Sequence, residues 1–256
     1  MTFVIVVICS EWILDDGRMD WKRKRKMNKG NNWTKFLLEF ASVFIAVVFA
    51  FALNNWNDNR RDDNAEKKIL NEISNGLTKD LDDIKLNLLG HKEGIKACRY
   101  WRKIVNNDDF IQDSILTNYS SLTRDYISIQ NKAGYETLKS KGLELIKNDS
   151  LRLEIISLYE YDYESLRKLE ETYGEMQFQN NYYKELNRII SPYFIFEKSG
   201  ILKNIELPID INRADKNTFL TYLWKIETNR NFILKYYSEI EKKAQELIIN
   251  IEKELK

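Results

Sequence analysis

The chain has 256 residues, enough for one or two domains with a sizeable core. Forty Lys and Arg against 39 Asp and Glu leave a net charge of +1, which excludes a general electrostatic drive toward nucleic acid. Nine Gly and two Pro among many Leu, Ile, Lys and Glu predict long helices, and two Cys with one His exclude a disulfide framework and most His-based metal sites.

Residues 1–18 contain the apolar run Phe3 to Cys9, too short to span a bilayer and without the basic start or small-residue cleavage site of a signal peptide. They read as an upstream extension, with translation expected to begin at Met19 or Met27. Residues 20–35 then carry Lys22, Arg23, Lys24, Arg25, Lys26, Lys29 and Lys35 against the single acid Asp20. Directly ahead of an apolar segment, such a run is an orientation signal that keeps its flank cytoplasmic.

The apolar segment covers residues 36–53, roughly 27 Å of helix against a hydrocarbon core of about 30 Å. A buried core helix is the competing reading. Trp33 and Trp56 at the two ends suit membrane interfaces and favour a transmembrane helix. The far flank balances Arg60, Arg61, Lys67 and Lys68 with Asp58, Asp62, Asp63 and Glu66, so the N-terminus is expected inside and the body outside the inner (cytoplasmic) membrane, in the periplasm of a two-membrane cell. Glu39, Ser42, Ala46, Ala50 and Asn54 share one face of this helix, opposite Phe40, Phe44, Val47 and Phe51. The small and polar face is a candidate helix–helix contact, most simply a homodimer seam. Glu39 also has an ordinary reading, an interfacial carboxylate near Lys35.

No Gly or Pro occurs from Asn32 to Ser74, so the helix is expected to continue out of the span. Leu70, Ile73, Leu77, Leu81, Ile84, Leu88, Ile95, Cys98, Trp101 and Val105 form its apolar stripe, and His91 fills the step between Leu88 and Ile95. A lone His there reads as a hydrogen-bonded packing residue, with Gly90 and Gly94 allowing a kink or a close helix approach. Asp80, Asp82 and Asp83 read as a solvated face. Asn106 to Asp109 breaks the helix, residues 110–133 are mixed, Gly142 reads as a helix C-terminal glycine, and Asn148, Asp149 and Ser150 are N-cap candidates.

A helix is predicted over Leu151 to Ile190, ended by Pro192. Its tyrosines, among them Tyr159, Tyr163, Tyr173 and Tyr183, are a candidate ligand or partner surface, with half-buried packing as the plainer reading. Residues 191–215 read as a connection with an extended piece near Ile205 to Ile211. Helices follow at Lys216 to Ile226 and Asn229 to Leu255, the latter with a heptad seam from Ile233 to Leu255.

Two stretches resemble a known family. Leu37-Leu38-Glu39 through Leu53-Asn54-Asn55-Trp56-Asn57-Asp58-Asn59-Arg60, and Ala133-Gly134-Tyr135-Glu136-Thr137-Leu138-Lys139-Ser140-Lys141-Gly142 with Leu145 to Leu151, are similar to the two recurrent blocks of a bacterial family of single-span membrane proteins, domain of unknown function 6090. The likeness runs from about Lys35 to Ile190 and departs at the longer N-terminal leader. It implies a small envelope protein with an N-terminal anchor and carries over no activity.

The expected fold class is all-α: one N-terminal transmembrane helix, then a long-helix antiparallel bundle or coiled-coil-like body. The expected organisation is a cytoplasmic leader at 1–35, the span at 36–53 and an extracytoplasmic helical domain at 54–256. With no phosphate loop, zinc motif or nucleophile elbow in the sequence, the expected role is a non-enzymatic interaction or scaffold protein without cofactor. Its partners would be the bilayer and a second copy or another envelope protein, with no nucleic acid. A ligand-sensing bundle is the alternative, and an enzyme using His91 or a carboxylate ranks last.

Overall fold

A computed structural model describes residues 32–109, 111 and 114–256. The basic run from Lys22 to Lys29, Cys9 and the start-site reading of residues 1–18 lie outside the described residues. The chain divides into two compact units, Met1–Trp56 and Asn57–Lys256.

The described residues are mostly helical. Helix α1 spans Asn32–Asn106 without interruption, as its lack of early breakers predicts. In the first unit its large apolar side chains, Phe36 to Leu53, are exposed, and none of the stretch is buried. In the second unit the α1 stripe is buried from Ile69 to Val105. The helix ends where expected: Asn107 takes φ 58°, and the Asn107 and Asp108 N–H groups donate to the carbonyls of Ile104 and Lys103.

Helix α2 (Ile115–Leu122) precedes an irregular stretch, and α3 (Ala133–Lys141) ends on Gly142 at φ 104°. Gly134 is fixed by packing. A Cβ there would lie 2.8 Å from the backbone nitrogen of Ile73, so only glycine lets α3 seat against α1. Asn148 caps α4 (Asp149–Ile156) by accepting from the Leu151 N–H at 3.2 Å.

The single helix predicted over 151–190 is not one helix. α4 runs through a π-helical turn, Ser157–Asp162, into α5 (Tyr163–Glu171). The chain then becomes extended at Tyr173, turns at Gly174–Met176, and resumes as α6 (Phe178–Asn181) and α7 (Tyr183–Ile190). The break is held from outside: Asp125 accepts the N–H of Phe178 at 2.8 Å at the start of α6. Local periodicity does not carry that long-range contact.

The connection over 191–215 holds an antiparallel hairpin, β1 (Phe194–Phe196) with β2 (Leu202–Ile205), in the register Phe194 to Ile205. The extended piece therefore starts earlier than predicted, and the fold is mostly helical rather than all-α. Phe194 stacks edge-on against Tyr119, which anchors the hairpin to α2.

Helix α8 is continuous over Arg213–Glu254, correcting the predicted break near residues 227–228. Asn212 caps it by accepting from the Asp215 N–H at 2.9 Å. Its buried positions run Phe219, Leu223, Ile226, Arg230, Ile233, Tyr237, Ile240, Ala244, Leu247 and Ile251, alternating four- and three-residue steps. The seam is unbroken. Arg230 is its one charged position in that run.

Candidate functional site

Each long stripe carries polar residues at core positions, and the folded second unit pairs them. His91 is the polar step of the α1 stripe and Arg230 that of α8. Both are buried, Arg230 to 0% exposure, with Arg230 Nη1 3.1 Å from His91 Nδ1. The guanidinium therefore donates to Nδ1, which places the imidazole proton on Nε2. Arg230 Nη2 donates to the carbonyls of Ser121, Leu122 and Arg124 at 3.5, 3.2 and 2.8 Å. These carbonyls close the C-terminal end of α2, so Arg230 caps that helix from across the core. Phe178 lies under the guanidinium, 4.3 Å from ring centre to Cζ.

The two glycines beside His91 make the space. A Cβ on Gly94 would fall 2.3 Å from Arg230 Nε, and one on Gly90 would fall 2.2 Å from the Tyr126 ring. Of the two roles expected for them, close approach is the one observed, while α1 continues as helix through both.

Two carboxylates form the other polar anchors. Glu170 accepts from the backbone N–H and hydroxyl of Ser128 at 3.0 and 2.9 Å, and from the Tyr237 hydroxyl. Asp80 accepts from the Asn131 N–H at 2.8 Å, the Asn131 amide at 2.6 Å and the Tyr163 hydroxyl at 2.9 Å. Asp80 is thus a buried ligand of the irregular 123–132 stretch, not part of a solvated face. Asp83 also leaves that face to accept from the Ile129 N–H at 3.0 Å, and Asp82 alone stays solvated.

The electrostatics fit anchoring. Burial, then the nearby Arg230 charge, lowers the His91 pKa to about 3, so the ring is neutral at physiological pH. Burial lowers the Arg230 pKa to about 10 and leaves it charged at neutral pH. Burial raises the Cys98 thiol to about 12, in line with its reading as a small buried hydrophobe. Burial also raises the pKa values of Asp80, Asp125 and Glu170 against the hydrogen bonds that favour their charged forms. Among the described residues no group of three or more His, Cys, Asp or Glu is placed to hold a metal ion.

A pH prediction follows from His91. Its folded pKa lies below its unfolded value near 6.5, so between these limits the unfolded chain binds the extra proton. The His91 contribution is complete above pH 6.5 and falls as pH drops, by about 2 kcal/mol at pH 5. Asp80, Asp125 and Glu170 act in the opposite sense because their folded pKa values are raised. His91→Asn keeps an acceptor for Arg230 without a titrating ring. Urea unfolding of both chains from pH 7.5 to 5 should show the wild type losing about 2 kcal/mol more than the variant. Parallel curves would remove His91 from the account.

Of the two readings of the tyrosines, a candidate surface and packing, the structure gives packing for Tyr159 and Tyr163 and brings the four together in no single surface. Tyr159 and Tyr163 are core residues: Tyr159 stacks on Tyr135 with ring centres 4.6 Å apart, and Tyr163 meets Asp80. The α4–π–α5 face they occupy turns toward α1 and α3, while Tyr173 is exposed beyond the helix break and Tyr183 is half-buried. In the first unit Glu39, Ser42, Ala46, Ala50 and Asn54 are exposed along α1, as are Trp33 and Trp56. The Ser42 hydroxyl donates to the Glu39 carbonyl at 2.8 Å, within its own helix. Sequence reasoning missed Arg230, Glu170 and Asp125. For Arg230 a signal existed, since it sits four residues after Ile226 and three before Ile233 on the seam. Glu170 and Asp125 carry no such signal, because their partners, Ser128 and Tyr237 for the one and the Phe178 N–H for the other, are distant in sequence.

The model of a family of unknown function, DUF6090, matches residues 39–203. That is more than half of the chain. The chain belongs to the DUF6090 family. No curated protein and no solved structure matches it. The DUF6090 segment holds the exposed apolar helix, Asp80, His91, Glu170 and the Gly134 seat on α1, while α8 with Arg230 lies beyond it.

Proposed function

We propose that this DUF6090 protein is a non-enzymatic, membrane-anchored scaffold of the bacterial envelope. In this reading α1 crosses the inner membrane once over residues 36–53, with the N-terminus cytoplasmic and the Asn57–Lys256 unit periplasmic. That unit is an antiparallel helical bundle that meets a second copy or another envelope protein, without cofactor or nucleic acid. One observation carries the reading: the large apolar side chains of α1 from Phe36 to Leu53 are exposed, while the second unit completes its own core without them. An exposed apolar stretch of that size needs a bilayer or a partner to cover it. The bundle geometry is supported by the pairs that link α1 to α8, Arg102 with Glu227 and His91 with Arg230, in which the α8 number rises as the α1 number falls.

Topology is the test. Ser199 is exposed at the hairpin turn and Cys98 is buried, so a Ser199→Cys chain in a Cys9→Ser background presents one reactive thiol. In cells with a permeabilised outer membrane, a membrane-impermeant maleimide should label it without lysis. Labelling only after the inner membrane is broken would overturn the orientation. The Glu39-Ser42-Ala46-Ala50-Asn54 face is the seam between two spans in the same reading. Replacing Ala46 and Ala50 together by Leu should lower cross-linking between copies in membranes several-fold, because small residues set the approach distance. Unchanged cross-linking would discard the seam.

A further inference from the structure

The hairpin leaves one sheet edge open. Among the described residues the sheet has two strands, and β2 packs against α2, so β1 is the free edge. Two bonds set its backbone directions. The Glu206 N–H donates to the Tyr193 carbonyl and the Glu197 N–H to the Ile201 carbonyl, both at 2.8 Å. Residues 193, 195 and 197 therefore face β2, and Phe194 and Phe196 turn their backbone groups to the open side. The Phe194 N–H donates to the Ser191 carbonyl. The Phe194 carbonyl and both backbone groups of Phe196 are left without a partner among the described residues. Edge strands are usually guarded by a charge, a proline or a bulge. Here the bulge lies on β2, where Lys203 is the extra residue, while β1 is Phe-Ile-Phe with Ile195 and Phe196 exposed.

We infer, resting on the membrane-anchored reading, that the occupant of this edge is the β1 strand of a second copy, paired antiparallel about Ile195. The free groups select it. Pairing about Ile195 sets Phe196 opposite the second copy's Phe194, and the Phe196 N–H donates to that Phe194 carbonyl, once in each direction across the two-fold axis. This register asks nothing of the Phe194 N–H, which is already bonded. The sequence selects it too. Phe-Ile-Phe reads the same in both directions, so every cross-strand pair is apolar, and Glu197 meets Tyr193 rather than a second carboxylate. A strand of three residues buries far less than the ~800 Å² per partner of a stable soluble dimer. The edge therefore closes between copies that a shared membrane already holds at high local concentration.

The test places one cysteine at a time on the hairpin of the full-length Cys9→Ser chain in native membranes, as Ile195→Cys, Glu197→Cys or Ser199→Cys, all exposed positions, with Cys98 buried. The membranes are oxidised with copper phenanthroline. In the proposed pairing Ile195 faces its own copy in a non-hydrogen-bonded pair, with Cα atoms about 4.5 Å apart and within disulfide range. Each residue away from that centre moves the two copies of a position apart by about 7 Å, so Glu197 and Ser199 fall out of range. The expected result is a disulfide-linked dimer for Ile195→Cys, about tenfold or more above the other two. Phe196→Pro removes the N–H donor at an edge position where proline is tolerated, and should lower the Ile195→Cys yield about tenfold. Phe196→Ala keeps the N–H and should lower it less than about threefold. Equal yields at the three positions, no dimer, a disulfide with another protein in place of the dimer, or equal losses for Pro and Ala would each overturn the inference. Should Phe196→Pro disturb the hairpin, the profile over the three positions still decides. Copper phenanthroline crosses the bilayer, so the yield does not depend on which side the hairpin occupies. The maleimide experiment reads that side separately, and a failed topology and an unpaired edge are told apart.

Discussion

Replacing Arg230 by Ala should cost the second unit about 3–4 kcal/mol, a loss at the upper end for a single substitution. The change strands the carbonyls of Ser121, Leu122 and Arg124 inside the protein, removes the donor to His91 Nδ1, and leaves a void over Phe178. Part of this is offset, because the unfolded variant no longer has a guanidinium to bring out of water. Arg230→Met separates the contributions: it refills most of the volume but still leaves the end of α2 uncapped, so it should recover part of the stability and not all of it. Urea unfolding of the full-length chain in detergent, followed by circular dichroism, measures both. A loss below about 1 kcal/mol for Ala would mean that water replaces the guanidinium at the α2 carbonyls, and that the cross-core cap is not a major source of stability.

Asp80→Ala is expected to cost about 3 kcal/mol, from the other end of the same interior. Asp80 both receives Asn131, through its backbone N–H and its amide, and meets the Tyr163 hydroxyl. Without it the 123–132 stretch loses its tie to α1, and a buried phenol loses its acceptor. Asp80→Asn discriminates between charge and geometry. An amide oxygen still accepts from the Asn131 N–H, and the amide can donate to the Tyr163 oxygen, so the loss should shrink to about 1 kcal/mol. Equal losses for Ala and Asn would show that the charge, not the hydrogen-bond pattern, holds the stretch in place. Urea unfolding at pH 7.5 measures both variants, and proteolytic cutting within 123–132 gives a local reading.

The two sites are linked by a common design. Arg230 and His91 interrupt otherwise apolar seams, and Asp80 occupies the core position three residues after Leu77. Each polar group is matched to a partner at one register of the packed helices, so a slip by one turn would bury all three unpaired. A buried polar residue on a seam is a known means of fixing register, and Arg230 with His91 fits that role.

What the sequence determined by itself follows from local physics. Long helices, the apolar segment between Trp33 and Trp56, the stop at Asn107, the glycine end at Gly142 and the Asn148 cap each depend on a few neighbouring residues, and all were readable. So was the family, whose two blocks lie on α1 and over α3 to α4. The α1 and α8 stripes were readable as well, because apolar spacing of three and four residues is a property of one helix alone. Only the tertiary structure decided which interruptions in those stripes meet. Arg230 carries no role in the spacing of its own helix, and gains one only where His91 and the end of α2 stand opposite it. Asp80 reads as solvated from its own helix alone, and Asn131 and Tyr163 close over it; for Tyr159 and Tyr163 the contacts with α1 and α3 decide between a surface and packing in favour of packing. The physical reason is the same in each case: a polar side chain is tolerated in a core when distant residues satisfy it, and sequence spacing along one helix says nothing about what the facing chain brings.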